Sequence, residues 1–349
     1  MNSNTLSDRI TPYLSMHNKG MLFDELSSEY LEKSGLKSIL SGVPIPIEAG
    51  DDGEFSTLSI AFAMAKIIGS DCNFRYSKDY LAYINYIAGE NASNILIKKG
   101  FDELNSEKSD NNNFEKACAY FRCALLIEPK SCDALYFYAL ACKKCYEAED
   151  MTEDYVGSFK AESADSFELL TMLHPKFAPG YYYLGYVYLN MGLYQKAQLT
   201  WLEYMKLTDD DNDIKGDGDR LDGYQIREIK EIRSEISERL NALEAPVIIE
   251  KACNEISRGN YKTGRDILVE YTDGRYSDWW PLWYYLGLAE FYLGDMDKAI
   301  KNYKKALSFS PSNVDIMNEL AEIYENRGDV ENYKKYRNKI DIVKGVSNT

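Results

Sequence analysis

Histidine is nearly absent from this 349-residue chain, with His17 and His174 the two that occur. So few imidazoles thin the supply of general acid–base groups and zinc ligands. Basic residues are also short, 40 Lys and Arg against 56 Asp and Glu, which leaves a net charge of −16. That balance disfavours a nucleic acid or an anionic membrane surface as the main partner, because both demand a basic face. Long apolar runs are missing: Leu58 to Ile68 carries Lys66 and is roughly half the ~20 residues that span a bilayer. Residues 1–8 lack the basic and apolar regions of a secretory signal. No phosphate-loop, dinucleotide-binding, nucleophile-elbow or H-E-x-x-H motif occurs, so no cofactor, metal or catalytic group is expected. Seven cysteines, odd in number and without a disulfide spacing, point to a reducing cytoplasm.

Tyrosine is the residue in excess, 29 against 13 Phe and 4 Trp. Internal repetition is the second feature, and a fixed period decides a fold. From Trp283 the chain reads Trp283-x2-Leu286-Gly287, then Gly294-Asp295, Ala299-x3-Tyr303, Ala306 and Pro311. Apolar residues three and four apart in two blocks, split by a Gly-Asp turn and stopped by proline, describe a helical hairpin. Small residues at Gly287, Ala299 and Ala306 let the two helices approach, while Trp283, Leu286 and Tyr303 fill the space between them. The pattern resembles the tetratricopeptide repeat, with Glu290 where that family usually has tyrosine.

The template recurs. Tyr181-x2-Leu184-Gly185-x2-Tyr188, Gly192 and Ala197-x3-Trp201 form a second strong copy over about 178–211. Ala117-x3-Phe121, Ala124 and Pro129 give the second helix of another, preceded by a helix from Asn94 to Leu104 and a polar turn over Ser106 to Asn113. Further units open at Leu135, Ile248 and Met317. The resemblance implies an all-α, right-handed solenoid of six tetratricopeptide-like hairpins with a helical N-terminal region. Its divisions are 1–91, an N-terminal cap; 92–211, repeats one to three; 212–244, an insertion; and 245–349, repeats four to six. Within the cap, helices are expected over Asn18–Lys33, Thr57–Ile68 and Ser77–Ala88, around the loop Ser41–Ile47. Within the insertion, the stripe Ile226, Ile229, Ile232, Ile236, Leu240 and Leu243 predicts an amphipathic helix over Tyr224–Ala245.

Two clusters invite chemistry and read as structure. Asp211, Asp213, Asp219 and Asp222 around Gly216 resemble a calcium loop, but Lys215 intrudes where a ligand oxygen belongs and no glutamate closes the set. The segment Asp209–Asp222 therefore reads as a solvated acidic loop. Cys118, Cys123, Cys132, Cys142 and Cys145 lie close in sequence, but cysteine is also a small, buriable side chain suited to tight helix pairs.

In a stack of such hairpins the first helices line the concave face, and residues four and seven apart share a stripe. That stripe runs through Tyr136, Leu140 and Lys143, then gives Tyr182, Tyr186, Leu189, Tyr284, Leu288 and Phe291, and ends on Asn318, Glu322 and Glu325; the groove candidates are its Tyr, Leu and Phe residues. Relatives that clamp a peptide's terminal carboxylate present Lys, Asn and Arg there, whereas this chain presents mostly Tyr and Leu. Family membership implies a non-catalytic scaffold that holds a protein or peptide partner. Three alternatives stay open: an enzyme or effector activity within residues 1–90, a peptide-sensing regulator, and a structural assembly subunit.

Overall fold

Described in this computed structural model are residues 7–19, 21–47, 56–106, 111–209 and 226–345. They divide into two compact units, one holding the described residues to Leu193 together with Thr200–Asp209, the other Tyr194–Leu199 with 226–345. In chain order the elements are α1 (Thr11–Leu14) with a 3₁₀ turn (Ser15–Asn18), β1 (Leu22–Asp24), α2 (Ser28–Lys33), α3 (Lys37–Leu40) and β2 (Ile45–Ile47). Then come α4 (Thr57–Ser70), α5 (Ser77–Ala88), α6 (Ala92–Leu104), α7 (Asn111–Ile127), α8 (Cys132–Tyr146), α9 (Glu153–Leu173), α10 (Ala178–Asn190) and α11 (Tyr194–Leu207). The second unit continues with α12 (Ile226–Ser257), α13 (Tyr261–Val269), α14 (Trp280–Tyr292), α15 (Met296–Phe309), α16 (Val314–Asn326) and α17 (Val330–Val343).

The hairpins follow the expected chemistry. Gly294 adopts φ +89°, which a residue with a Cβ resists, and ends α14. Asp295 then caps α15, its carboxylate accepting the Lys298 backbone N–H at 3.1 Å. The same Gly-Asp device, Gly328 and Asp329, separates α16 from α17. Close approach inside a hairpin rests on glycine beneath a ring. A Cβ on Gly100 would sit 2.7 Å from Phe121, one on Gly185 2.1 Å from Trp201, and one on Gly287 2.7 Å from Tyr303. Each pair joins a first helix to its second, so the repeat pattern in sequence is a packing rule in space.

The region before the repeats departs from expectation over Asn18–Lys33 and at Ile45–Ile47, the end of the expected loop, which is a strand. Helices over 57–70 and 77–88 form, but Asn18–Lys33 is not a helix. Instead β1 pairs antiparallel with β2, Phe23 opposite Pro46, and α2 begins only where Ser27 caps it by accepting from the Tyr30 N–H. Pairing with a distant strand overrides local pattern there. Residues 7–18 lie on α7 and α9: Ile10 and Leu14 are fully buried, and the Tyr13 ring meets Tyr155 at 4.9 Å and Phe159 at 5.8 Å.

The insertion helix is also longer than its stripe. α12 runs through Pro246 to Ser257, so the break expected at 244/245 falls inside one helix. An internal proline costs ~3 kcal/mol, but Ile236 and Leu243 before it and Val247, Ile249, Ala252 and Ile256 after it are all buried. Burying each of the Ile, Leu and Val side chains gains about 1.5–3 kcal/mol, which outweighs the missing hydrogen bond. The acidic segment from residue 210 to 222 lies outside the described residues.

Candidate functional site

On α10, Leu184, Gly185, Val187 and Tyr188 turn inward. The Trp201 indole lies across Gly185 and donates its N–H to the Tyr182 carbonyl at 3.1 Å. Tyr182 and Tyr186 stand one turn apart, their rings 5.2 Å from each other, and both stay half-buried. Behind them Tyr186 meets Trp201 at 4.9 Å and Tyr182 meets Tyr204 at 6.0 Å. Leu189 and Leu140 are likewise half-buried. Tyr136 is a correction: it is buried at 8% exposure among Phe137, Phe167, Phe177 and Tyr183, and burial pushes its hydroxyl far above the usual phenol range. Residues on the next hairpin close over it, which spacing along one helix does not reveal.

In the second unit Leu286, Gly287, Ala289 and Glu290 of α14 turn inward, while Tyr284, Leu288 and Phe291 remain half-buried. The Tyr284 ring rests between Trp280 (6.2 Å), Tyr285 (5.3 Å) and Tyr303 (5.8 Å). Burial first, then Glu319 and Asp315 of α16, push the Tyr284 hydroxyl up to about 12, so it stays protonated and able to donate. Behind it the Tyr303 hydroxyl donates to Glu319 Oε2 at 3.4 Å. Tyr292 extends the face beyond the residues named from sequence: exposed, it stacks on Tyr261 with centroids 4.5 Å apart and planes 8° apart. Its position, eight after Tyr284, falls on the same stripe and was the available signal. Glu290, in the family's tyrosine position, is buried within the electrostatic reach of Arg265 and Lys298.

The remaining chemistry-bearing groups are engaged in structure. His17 bonds Glu115, and the His174 ring reaches the Lys130 carbonyl at 2.8 Å. Cys118 and Cys142 lie Sγ to Sγ at 3.8 Å with both thiols pushed up by full burial, the opposite of an activated thiolate. Among the described residues no group of three or more His, Cys, Asp or Glu is arranged to hold a metal ion, and no helix is long and apolar enough to cross a membrane. In the first unit the buried Glu162 carboxylate accepts from Tyr138 Oη at 2.7 Å and from Ser7, with Arg9 at 3.5 Å. The fully buried Arg122 donates to the Ser7 carbonyl at 3.1 Å. These groups tie residues 7–9 to α7 and α9.

A family model described as TPR repeat matches residues 287–328, from Gly287 in α14 to Gly328 after α16. No curated protein matches the chain. Among solved structures, the chain is similar to the TPR domain of P58(IPK) at 12% identity and a TM-score of 0.43, over 82% of this chain and 69% of that one. It is similar to a tetratricopeptide repeat protein from Parabacteroides merdae at 14% identity and a TM-score of 0.31, over 84% and 94%. A third is MamA from Desulfovibrio magneticus RS-1, at 15% identity and a TM-score of 0.30, over 62% and 97%.

Proposed function

Because this chain is a tetratricopeptide-repeat protein, a class that generally mediates protein interactions, we propose that it holds a partner chain against the tyrosine-rich faces of its first helices. The observation that carries this reading is the α14 stripe, where Tyr284, Leu288 and Phe291 are half-buried and Tyr292 is exposed. Each ring is backed by a second ring, so it is held in one rotamer and loses little entropy on meeting a ligand. Tyr182, Tyr186 and Leu189 of α10 form the corresponding face of the first unit. The mechanism is rigid display: apolar ring faces cover the partner's side chains and hydroxyls bond its backbone, with no bond made or broken. A protein partner, a cytoplasmic setting and the absence of catalysis belong to this same reading.

The test uses the full chain as bait for a random-sequence displayed peptide library. Tyr182→Ala and Tyr284→Ala should each weaken recovered peptides by roughly thirtyfold, the loss of ~2 kcal/mol typical of a hot spot, with helical content unchanged. Variants that bind normally per folded molecule would show these rings to be core.

A further inference from the structure

Charge in the last two repeats is sorted by helix. α16 carries four carboxylates, Asp315, Glu319, Glu322 and Glu325, and no cation. At 100° per residue these four, with Asn318, share one arc of the helix. The second helices are the reverse: α15 carries Lys298, Lys301, Lys304 and Lys305 against Asp297, and α17 carries Lys334, Lys335, Arg337 and Lys339 against Glu331 and Asp341. In a chain of net −16, neither α14 nor α16 contributes a cation of its own. The cations of the second helices rest on rings: the Lys304 ammonium lies over Tyr324 of α16 at 5.6 Å, Lys305 over Phe309 at 4.8 Å and Trp283 of α14 at 5.9 Å, and Lys339 over Tyr336 at 5.6 Å.

The α16 carboxylates therefore lack an internal counter-charge. Among the described residues, the ion pairs Arg258–Glu255, Arg265–Asp266, Lys298–Asp295 and Arg327–Asp297 of this unit all leave out Asp315, Glu319, Glu322 and Glu325. Glu319 is partly desolvated beside Tyr303, and burial with the neighbouring Glu322 and Asp315 raises its carboxyl above the usual range. Its field also reaches Tyr284, the central ring of the α14 stripe. Tyr284, which heads the apolar strip continued by Phe291 and Tyr292, thus lies in the field of Glu319 and Asp315. A bound cation would relieve that repulsion and gain a ring face to rest on.

We propose that this face of the second unit takes a basic, Lys- or Arg-bearing peptide segment, its apolar side chains on the α14 rings and its cations toward α16. The inference rests on the binding face proposed above and adds the chemistry of the partner. Nucleic acid and anionic lipid would be repelled by the same carboxylates.

The experiment repeats the displayed-peptide selection on three forms of the full chain: native, E319Q/E322Q/E325Q, and E270Q/D273N/D278N, which removes equal charge from an exposed loop. Peptides recovered on the native chain should be enriched in Lys and Arg. The first triple variant should weaken them about tenfold, the scale of one well-placed charge contact, and the loop variant should not. Gln keeps the size of Glu319 and can still accept from Tyr303, so the variant folds, as circular dichroism will show. Peptides that depend on Tyr284 but carry no basic excess, or an excess that survives E319Q/E322Q/E325Q, would overturn the charge inference and leave the binding face standing. Recovery indifferent to Tyr284→Ala, or no recovery, would overturn both.

Discussion

Gly185 and Trp201 occupy space that admits no methyl between them: a Cβ on the glycine would lie 2.1 Å from Trp201 Nε1 and 2.4 Å from Cδ1. The indole cannot retreat without giving up its 3.1 Å hydrogen bond to the Tyr182 carbonyl and its contact with Tyr186. The ring that sets hairpin spacing thus also supports the two tyrosines of the exposed stripe.

Gly185→Ala should therefore destabilise the protein by about 1–3 kcal/mol, the usual cost of overpacking. Gly157, inside α9 with nothing within 4 Å of its would-be Cβ, is the contrast. Gly157→Ala should stabilise by about 0.5–1 kcal/mol through helix propensity. Urea unfolding of both variants decides the matter, and equal effects would refute the close-packing account.

The N-terminal segment gives a second contrast. Leu14 is fully buried while Met16 is 56% exposed. Leu14→Ala should cost about 2–5 kcal/mol, and Met16→Ala should stay within about 0.5 kcal/mol of native. If the two variants melt alike, residues 7–18 do not dock on α7 and α9 in solution.

A third prediction concerns Glu162. Tyr138→Phe removes the 2.7 Å donor to its carboxylate without changing shape. Leaving that buried acceptor short of a partner should cost about 1–3 kcal/mol. Thermal melts should show the loss; an unchanged midpoint would mean that Ser7 and Arg9 suffice.

The pH dependence of α16 follows from Glu319, whose carboxyl is raised by burial and then by Glu322 and Asp315. A carboxyl raised on folding favours the fold when protonated. That contribution is complete below the unfolded-state value and lost as pH rises through the folded one. Glu319→Gln should thus raise the melting temperature at neutral pH, on the order of 1 °C for a half-buried group still screened by solvent, and change it little near about pH 3. A larger gain in acid would reverse the sign and contradict the placement.

Hairpins were legible where sequence records packing directly. Gly287 with Tyr303 and Gly185 with Trp201 announce a close helix pair because no other residue fits under the ring. What sequence could not show depends on distant partners. Leu22–Asp24 form a strand only because Ile45–Ile47 are there to pair. The helix expected over Tyr224–Ala245 runs on to Ser257, since its stripe does not count the apolar side chains buried beyond Pro246. For the site, period alone placed Tyr136, Tyr182 and Tyr284 on one stripe. Burial then separates Tyr136, closed over by Phe167, Phe177 and Tyr183, from the other two. Glu319 was missed because its role comes from Tyr303 on a neighbouring helix.

The central claim is that the α14 face receives a partner chain, and hydroxyl-radical footprinting of the full-length protein with a recovered peptide tests it most directly. The account predicts lower oxidation of Tyr284, Phe291 and Tyr292 on binding, with Val330 and Ile342, exposed on α17, unchanged. Protection of Val330 and Ile342 with Tyr284, Phe291 and Tyr292 still fully reactive would place the partner elsewhere and contradict it.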